Sequence, residues 1–103
     1  MVTAPNKKIA RKLTELVLQK RLAACVNLVP KIESHYWWKN KIERAAEFLM
    51  IFKTTIARLP ELQKCILETH PYETPEFVVL PVSSGNKKYL DWVTASVQQH
   101  SPQ

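Results

Sequence analysis

At 103 residues the chain has room for one domain with a single core, small enough that partner subunits contribute noticeably to stability. Its 46% hydrophobic content, with three Trp, three Tyr and three Phe, argues against disorder, and no apolar run reaches the roughly 18 residues of a membrane span. The formal charge of +6, from 15 Lys and Arg against nine Asp and Glu, fits either an anionic partner or a solvated basic helix face, and the latter is the simpler account.

The opening residues, Met1 to Lys8, lack the apolar segment of a secretory signal, so the expectation is a cytoplasmic chain. Cys25 and Cys65 are too few for a disulfide framework and lack CxxC spacing, which leaves two reduced thiols. After Asn6, a good N-cap, Ile9, Leu13, Leu16 and Val17 fall on one face of an amphipathic helix that should end near Lys20-Arg21. From Leu22 the period becomes two: Val26, Leu28, Ile32, Tyr36 and Trp38 share one parity, and Pro30 demands a bulge or bend.

Lys39-Asn40 reads as a short turn, with Asn40 tolerant of positive φ, and Ile42 to Thr54 as a return strand whose run Phe48 to Phe52 looks buried on both faces. Pro60 suits a first helical turn, and Leu59, Leu62, Ile66 and Thr69 give a second helix, ended by His70-Pro71. Glu76 to Val82 reads as a short central strand. Gly85 is expected to supply a positive φ before a last helix, capped by Asn86 or Ser84, with Tyr89, Leu90, Val93 and Val97 inward. The order α, β, β, α, β, α, with a strand ahead of the first helix, predicts an α+β, ferredoxin-like split βαβ sandwich. Residues 1–99 form its single domain and 100–103 a fraying tail, and only Met1-Val2-Thr3 remain for the first strand.

The densest chemistry lies in His70-Pro71-Tyr72-Glu73-Thr74-Pro75-Glu76, where two prolines stiffen a loop carrying an imidazole, a phenol and two carboxylates. With Cys25, these residues make the only plausible mixed ligand set, soft donors suiting copper or zinc and carboxylates suiting harder ions. Cys25 reads equally as a small buried hydrophobe, and His70 as a helix C-cap. Tyr36, Trp37 and Trp38 between lysines could stack bases, but the RNP1 pattern is absent, so no nucleic acid is expected and the rings read as an interface. His70, Tyr72, Glu73 and Lys53 supply acid or base groups without a nucleophile or oxyanion site, so the chain is not expected to be an enzyme.

Thr3-Ala4-Pro5-Asn6, Arg21 to Leu28, Tyr36 and Trp38 before Lys41-Ile42, Lys53-Thr54, His70 to Glu73 with Pro75-Glu76, Leu80-Pro81, Gly85-Asn86, Tyr89-Leu90 and Trp92 stand in one order. In that set the chain resembles the CutA family of divalent-cation tolerance proteins from Val2 to about Val97. The resemblance implies a PII-like subunit that forms a compact homotrimer by strand pairing, with clefts between neighbours. It also implies binding of copper or other divalent cations, with Cys25 and His70 matching ligand candidates and Glu73 a nearby carboxylate. Animal members are linked with acetylcholinesterase anchoring at membranes.

The chain departs from the family at Asn40, where Gly is common, and in its first strand, largely missing because the chain starts inside it. The leading expectation is thus a non-enzymatic, trimeric copper-binding protein. A second is a PII-like signalling module, in which Lys53 and Lys41 neutralise an anionic metabolite in a cleft with Tyr72, Glu76 and Trp38. A third is a trimeric adaptor anchored on a protein partner by Trp37 and Trp92, with Tyr36 also at the interface.

Overall fold

The computed structural model describes residues 1–98, so the tail expected at 100–103 lies outside the described residues. The elements are β1 (Val2–Ala4), α1 (Lys7–Gln19), β2 (Cys25–Trp38), β3 (Lys41–Lys53), a 3-10 turn (Ile56–Arg58), α2 (Leu59–Thr69) and α3 (Lys87–Ser96).

Asn6 caps α1 as its sequence predicts, its side chain accepting from Ile9 N–H at 2.9 Å, and Ala10, Leu13 and Val17 are buried. The helix ends in a Schellman arrangement: Leu22 N–H donates to Val17 O (3.0 Å), Arg21 N–H to Leu18 O (3.1 Å), and Arg21 takes a φ of 54°. The Arg58 guanidinium then covers the exit of this helix. Its Nη2 donates to Lys20 O at 3.2 Å and its Nε to Arg21 O at 3.3 Å, a cation placed at the negative end of the helix dipole.

The sheet is antiparallel in the order β1-β3-β2. The β2–β3 register slips between Val29 and Ile32, where Pro30 cannot join the ladder and Lys31 adopts a φ of 58°. Lys39 and Asn40 turn the hairpin with φ values of 49° and 63°, the left-handed pair that a two-residue turn needs to match strand twist. On β3, Phe48, Met50 and Phe52 face the helices, where Met50 joins Val2, Ala4, Leu13, Val17, Leu62 and Ile66 in the core.

Several expectations are corrected. Leu49 and Ile51, on the opposite face of β3, are only half-buried, because among the described residues the helices form a layer on one side of the sheet. Glu76–Val82 is not a strand. It runs extended along the free edge of β1, where Val78 N–H donates to Met1 O at 3.0 Å and the Met1 amino group to Val78 O at 2.6 Å. The segment thereby holds the fourth-strand position of a ferredoxin-like sheet, with the three-residue β1 beside it, but with too few ladder bonds to register as a strand. Gly85 has no positive φ; Asn86 caps α3 by accepting from Lys88 N–H at 2.9 Å, and Tyr89 is exposed while Val93 and Val97 are buried.

β1 pairs only with Phe48 to Met50, so the seven pairs from Ile32↔Glu47 to Trp38↔Lys41 form a two-stranded ribbon without a third strand. The fold accordingly measures 51 × 30 × 22 Å, and its radius of gyration of 14.9 Å exceeds the roughly 13 Å of a compact chain this long.

Candidate functional site

His70 ends α2 and is 7% exposed, with both ring nitrogens engaged. Nε2 lies 2.7 Å from Thr3 O, and since a carbonyl only accepts, Nε2 carries the proton. Nδ1 then accepts from Tyr72 N–H at 3.1 Å. Thr3 O points along the same edge of β1 as Met1 O, so the imidazole occupies a position that a neighbouring strand would otherwise fill. The ring also packs against Tyr72 at a centroid distance of 4.7 Å.

Tyr72 in turn donates its hydroxyl to Glu47 Oε2 at 2.8 Å. Burial, followed by the hydrogen bond and charge of Glu47, pushes the Tyr72 phenol far above its ordinary value. Glu47 is 7% exposed and forms no ion pair among the described residues. It sits on β3 where the unsupported ribbon leaves the sheet, between Ala46 and the apolar run. Sequence reading missed it, although a lone carboxylate preceding Phe48-Leu49-Met50 was the available signal.

Around this pair opens a cleft of about 740 Å³ between the ribbon and the Tyr72–Glu76 loop. Tyr36, Trp37 and Trp38 come from the ribbon, and Tyr72, Glu73 and Glu76 from the loop, so six of the residues singled out in sequence line one space. His70 lies behind its wall. Cys25, Lys53 and Trp92 are elsewhere. Cys25 pairs with Lys53, four residues further along β3 than Leu49, the partner of Thr3, which is about 13 Å of strand. Its thiol is half-buried, with Asn27 Oδ1 at 4.0 Å. Trp92 is on α3 with its ring 5.7 Å from that of Tyr89. The second thiol, Cys65, is buried in the core, and burial pushes its pKa up, away from thiolate chemistry.

A resident metal within one chain does not fit this arrangement. Among the described residues no three His, Cys, Asp or Glu side chains converge on a point, and the neutral His70 has no free lone pair to offer. The lining includes no Lys or Arg; Lys53 is remote from it, and Lys41 lies opposite Trp38 in the ribbon.

A family profile described as CutA1 divalent ion tolerance protein matches residues 1–96. The chain is 43% identical over 98 residues to the rice "Protein CutA 1, chloroplastic", covering 95% of this chain and 55% of that protein. It spans about half the length of the mouse, human and rice relatives it matches. Among solved structures, the "Periplasmic divalent cation tolerance protein CutA" of Archaeoglobus fulgidus superposes with a TM-score of 0.91 at 40% identity, covering 94% of each chain. The "PII-like protein CutA" of Nostoc does so with a TM-score of 0.88 at 31% identity, over 96% of this chain and 95% of that one. These names overturn the cytoplasmic expectation, since relatives carry chloroplastic and periplasmic descriptions. Among the described residues no helix is long and apolar enough to cross a membrane.

Proposed function

The chain belongs to the CutA1 divalent ion tolerance family, and from that premise we propose that it acts, without catalysing a reaction, as a homotrimeric protein of divalent-cation tolerance that binds copper or another divalent cation. The observation that carries the trimer is the unfinished sheet. A seven-pair ribbon with Trp37 72% and Ile42 66% exposed projects from the body, and such isolated hairpins are marginal in water. The face of the sheet away from the helices presents Val29, Leu49 and Ile51, and the edge segment, bonded to Met1 at Val78, exposes Val79, Leu80 and Val82 beside it. Strand pairing between copies would satisfy all three at once.

For the cation, Cys25 is the accessible soft donor, and its partners come from a neighbouring copy, because His70 is committed to the fold and Glu73 and Glu76 of the same chain lie in the cleft away from Cys25. Native mass spectrometry with and without copper tests both parts. A species of three chains that takes up copper, with uptake lost in Cys25→Ala, is the expected result. A monomer at micromolar concentration would refute the assembly, and equal copper uptake by Cys25→Ala and wild type would refute the donor. The adaptor reading retains one specific support, the exposure of Trp37 and Trp92, and capture of a protein partner that survives Trp37→Ala would remove it.

A further inference from the structure

We propose that the outer face of α1 is a docking surface for an acidic, partly apolar polypeptide segment of a partner protein, gripped by Lys7, Lys8, Arg11 and Lys12 and bounded by Leu18. The face lies on the helical side of the sheet. Ala10, Leu13 and Val17 turn inward to the core, which leaves the four cations exposed. Pairing between copies uses the opposite face of the sheet, the ribbon and the edge at Val79, Leu80 and Val82, so the assembly proposed above makes no use of them. Lys7 and Arg11, like Lys8 and Lys12, stand one turn apart, about 6 Å along the helix axis. A surface hollow of about 520 Å³ lies among the four cations and Glu15.

A basic face kept only for solubility has no reason to sit at this place on the helix. Lys7 and Lys8 occupy the first turn, at the positive end of the helix dipole, and that turn holds no acidic residue. The i, i+4 pairs Lys7–Arg11 and Lys8–Lys12 add like-charge repulsion. Among the described residues none of the four forms an ion pair, although Glu15 stands one turn from Arg11 and Lys12. An anionic partner relieves all of these costs together. The pattern of the face selects the kind of partner. Its positive charge ends at Glu15, and Leu18, seven residues after Arg11 and on the same side of the helix, is 40% exposed. On the neighbouring α2, Glu61, Leu67 and Glu68 are exposed. A membrane or a nucleic-acid backbone presents negative charge without interruption and would meet these carboxylates. A segment of carboxylates followed by an apolar side chain instead matches cations followed by a leucine.

The experiment is fluorescence anisotropy of a labelled peptide of sequence EEEEEELL titrated with the full chain. Saturable binding is expected, weakening as salt is raised. Lys7→Glu combined with Lys8→Glu should weaken it about tenfold or more. Those substitutions place acids in the first turn, each one turn ahead of a cation, so they hold or raise the thermal midpoint, and a loss of binding does not come from unfolding. Lys64→Glu combined with Lys88→Glu makes the same change of net charge on α2 and α3 and should leave the affinity nearly unchanged. Leu18→Ser should weaken EEEEEELL more than EEEEEE, and Cys25→Ala should bind as wild type does, so this outcome is separable from that of the copper experiment. No saturable change at millimolar protein in low salt, equal affinities for the Lys7→Glu, Lys8→Glu variant and wild type, or equal losses in the two double variants would overturn the proposal. So would tighter binding of duplex DNA or of phosphatidylserine vesicles than of the peptide, by making a continuous anionic surface the partner.

Discussion

Replacing His70 by Ala separates a structural imidazole from a metal ligand, because the two roles predict opposite behaviour in the absence of metal. In this fold the ring satisfies Thr3 O and Tyr72 N–H simultaneously while 7% exposed. Deleting it orphans one acceptor and one donor, each costing about 1–3 kcal/mol, and leaves a void against Tyr72 that adds about 1 kcal/mol. The expected loss is therefore about 3 kcal/mol or more, a large fraction of the roughly 5–15 kcal/mol that holds a domain together. Urea denaturation in the presence of a chelator, at fixed protein concentration, reads it directly: with a slope of about 2 kcal/mol per molar, the midpoint should fall by about 1.5 M. His70→Gln, whose amide can still donate to Thr3 O, should recover part of the loss. The reasoning fails if His70→Ala unfolds within about 0.5 kcal/mol of wild type under chelation while copper affinity collapses, since the ring would then be held for a metal and not for the fold.

Three other outcomes follow from the same geometry. Because the Tyr72 phenol titrates above its unfolded value near pH 10, its stabilisation is complete below that pH and is lost as pH rises beyond it; Tyr72→Phe should flatten the alkaline limb of stability measured from pH 8 to 11. Arg58→Ala removes the guanidinium from Lys20 O and Arg21 O at a buried site, and should cost about 2–3 kcal/mol in thermal or urea unfolding, with Arg58→Lys recovering less than half because one ammonium cannot span both carbonyls. Asn86→Ala uncaps α3 by freeing the Lys88 and Tyr89 amides and should cost about 1 kcal/mol, seen first as faster amide exchange in that helix.

Features set by neighbouring residues were legible in the chain. Asn6 as a cap, the helix exit near Lys20-Arg21, the bulge at Pro30 and the turn at Lys39-Asn40 each depend on one side chain's dihedral or hydrogen-bonding preference, and each stands where the letters place it. The cleft was half legible, because the prolines around Tyr72 fix a loop whatever it packs against. Glu47 and Arg58 escaped because their roles depend on partners 25 and 37 residues away. Gly85 misled for a related reason: a lone glycine suggests a positive φ, whereas here the position is crowded, a Cβ meeting Leu90 Cδ1 at 3.3 Å.

The misread strand at Glu76–Val82 shows why local patterning cannot finish this fold. Its apolar, β-branched sequence suits a buried strand, but one chain offers it only the short edge of β1, and His70 has already taken Thr3 O there. Val79, Leu80 and Val82 of the segment stay exposed among the described residues. The ribbon has the complementary lack, seven paired positions with no third strand. A strand propensity that goes unmet within one chain is thus the same signal as an edge awaiting another copy. Breaking the edge, for example with Val79→Lys, should shift the assembly toward single chains while leaving the helical core, which that residue does not join, intact.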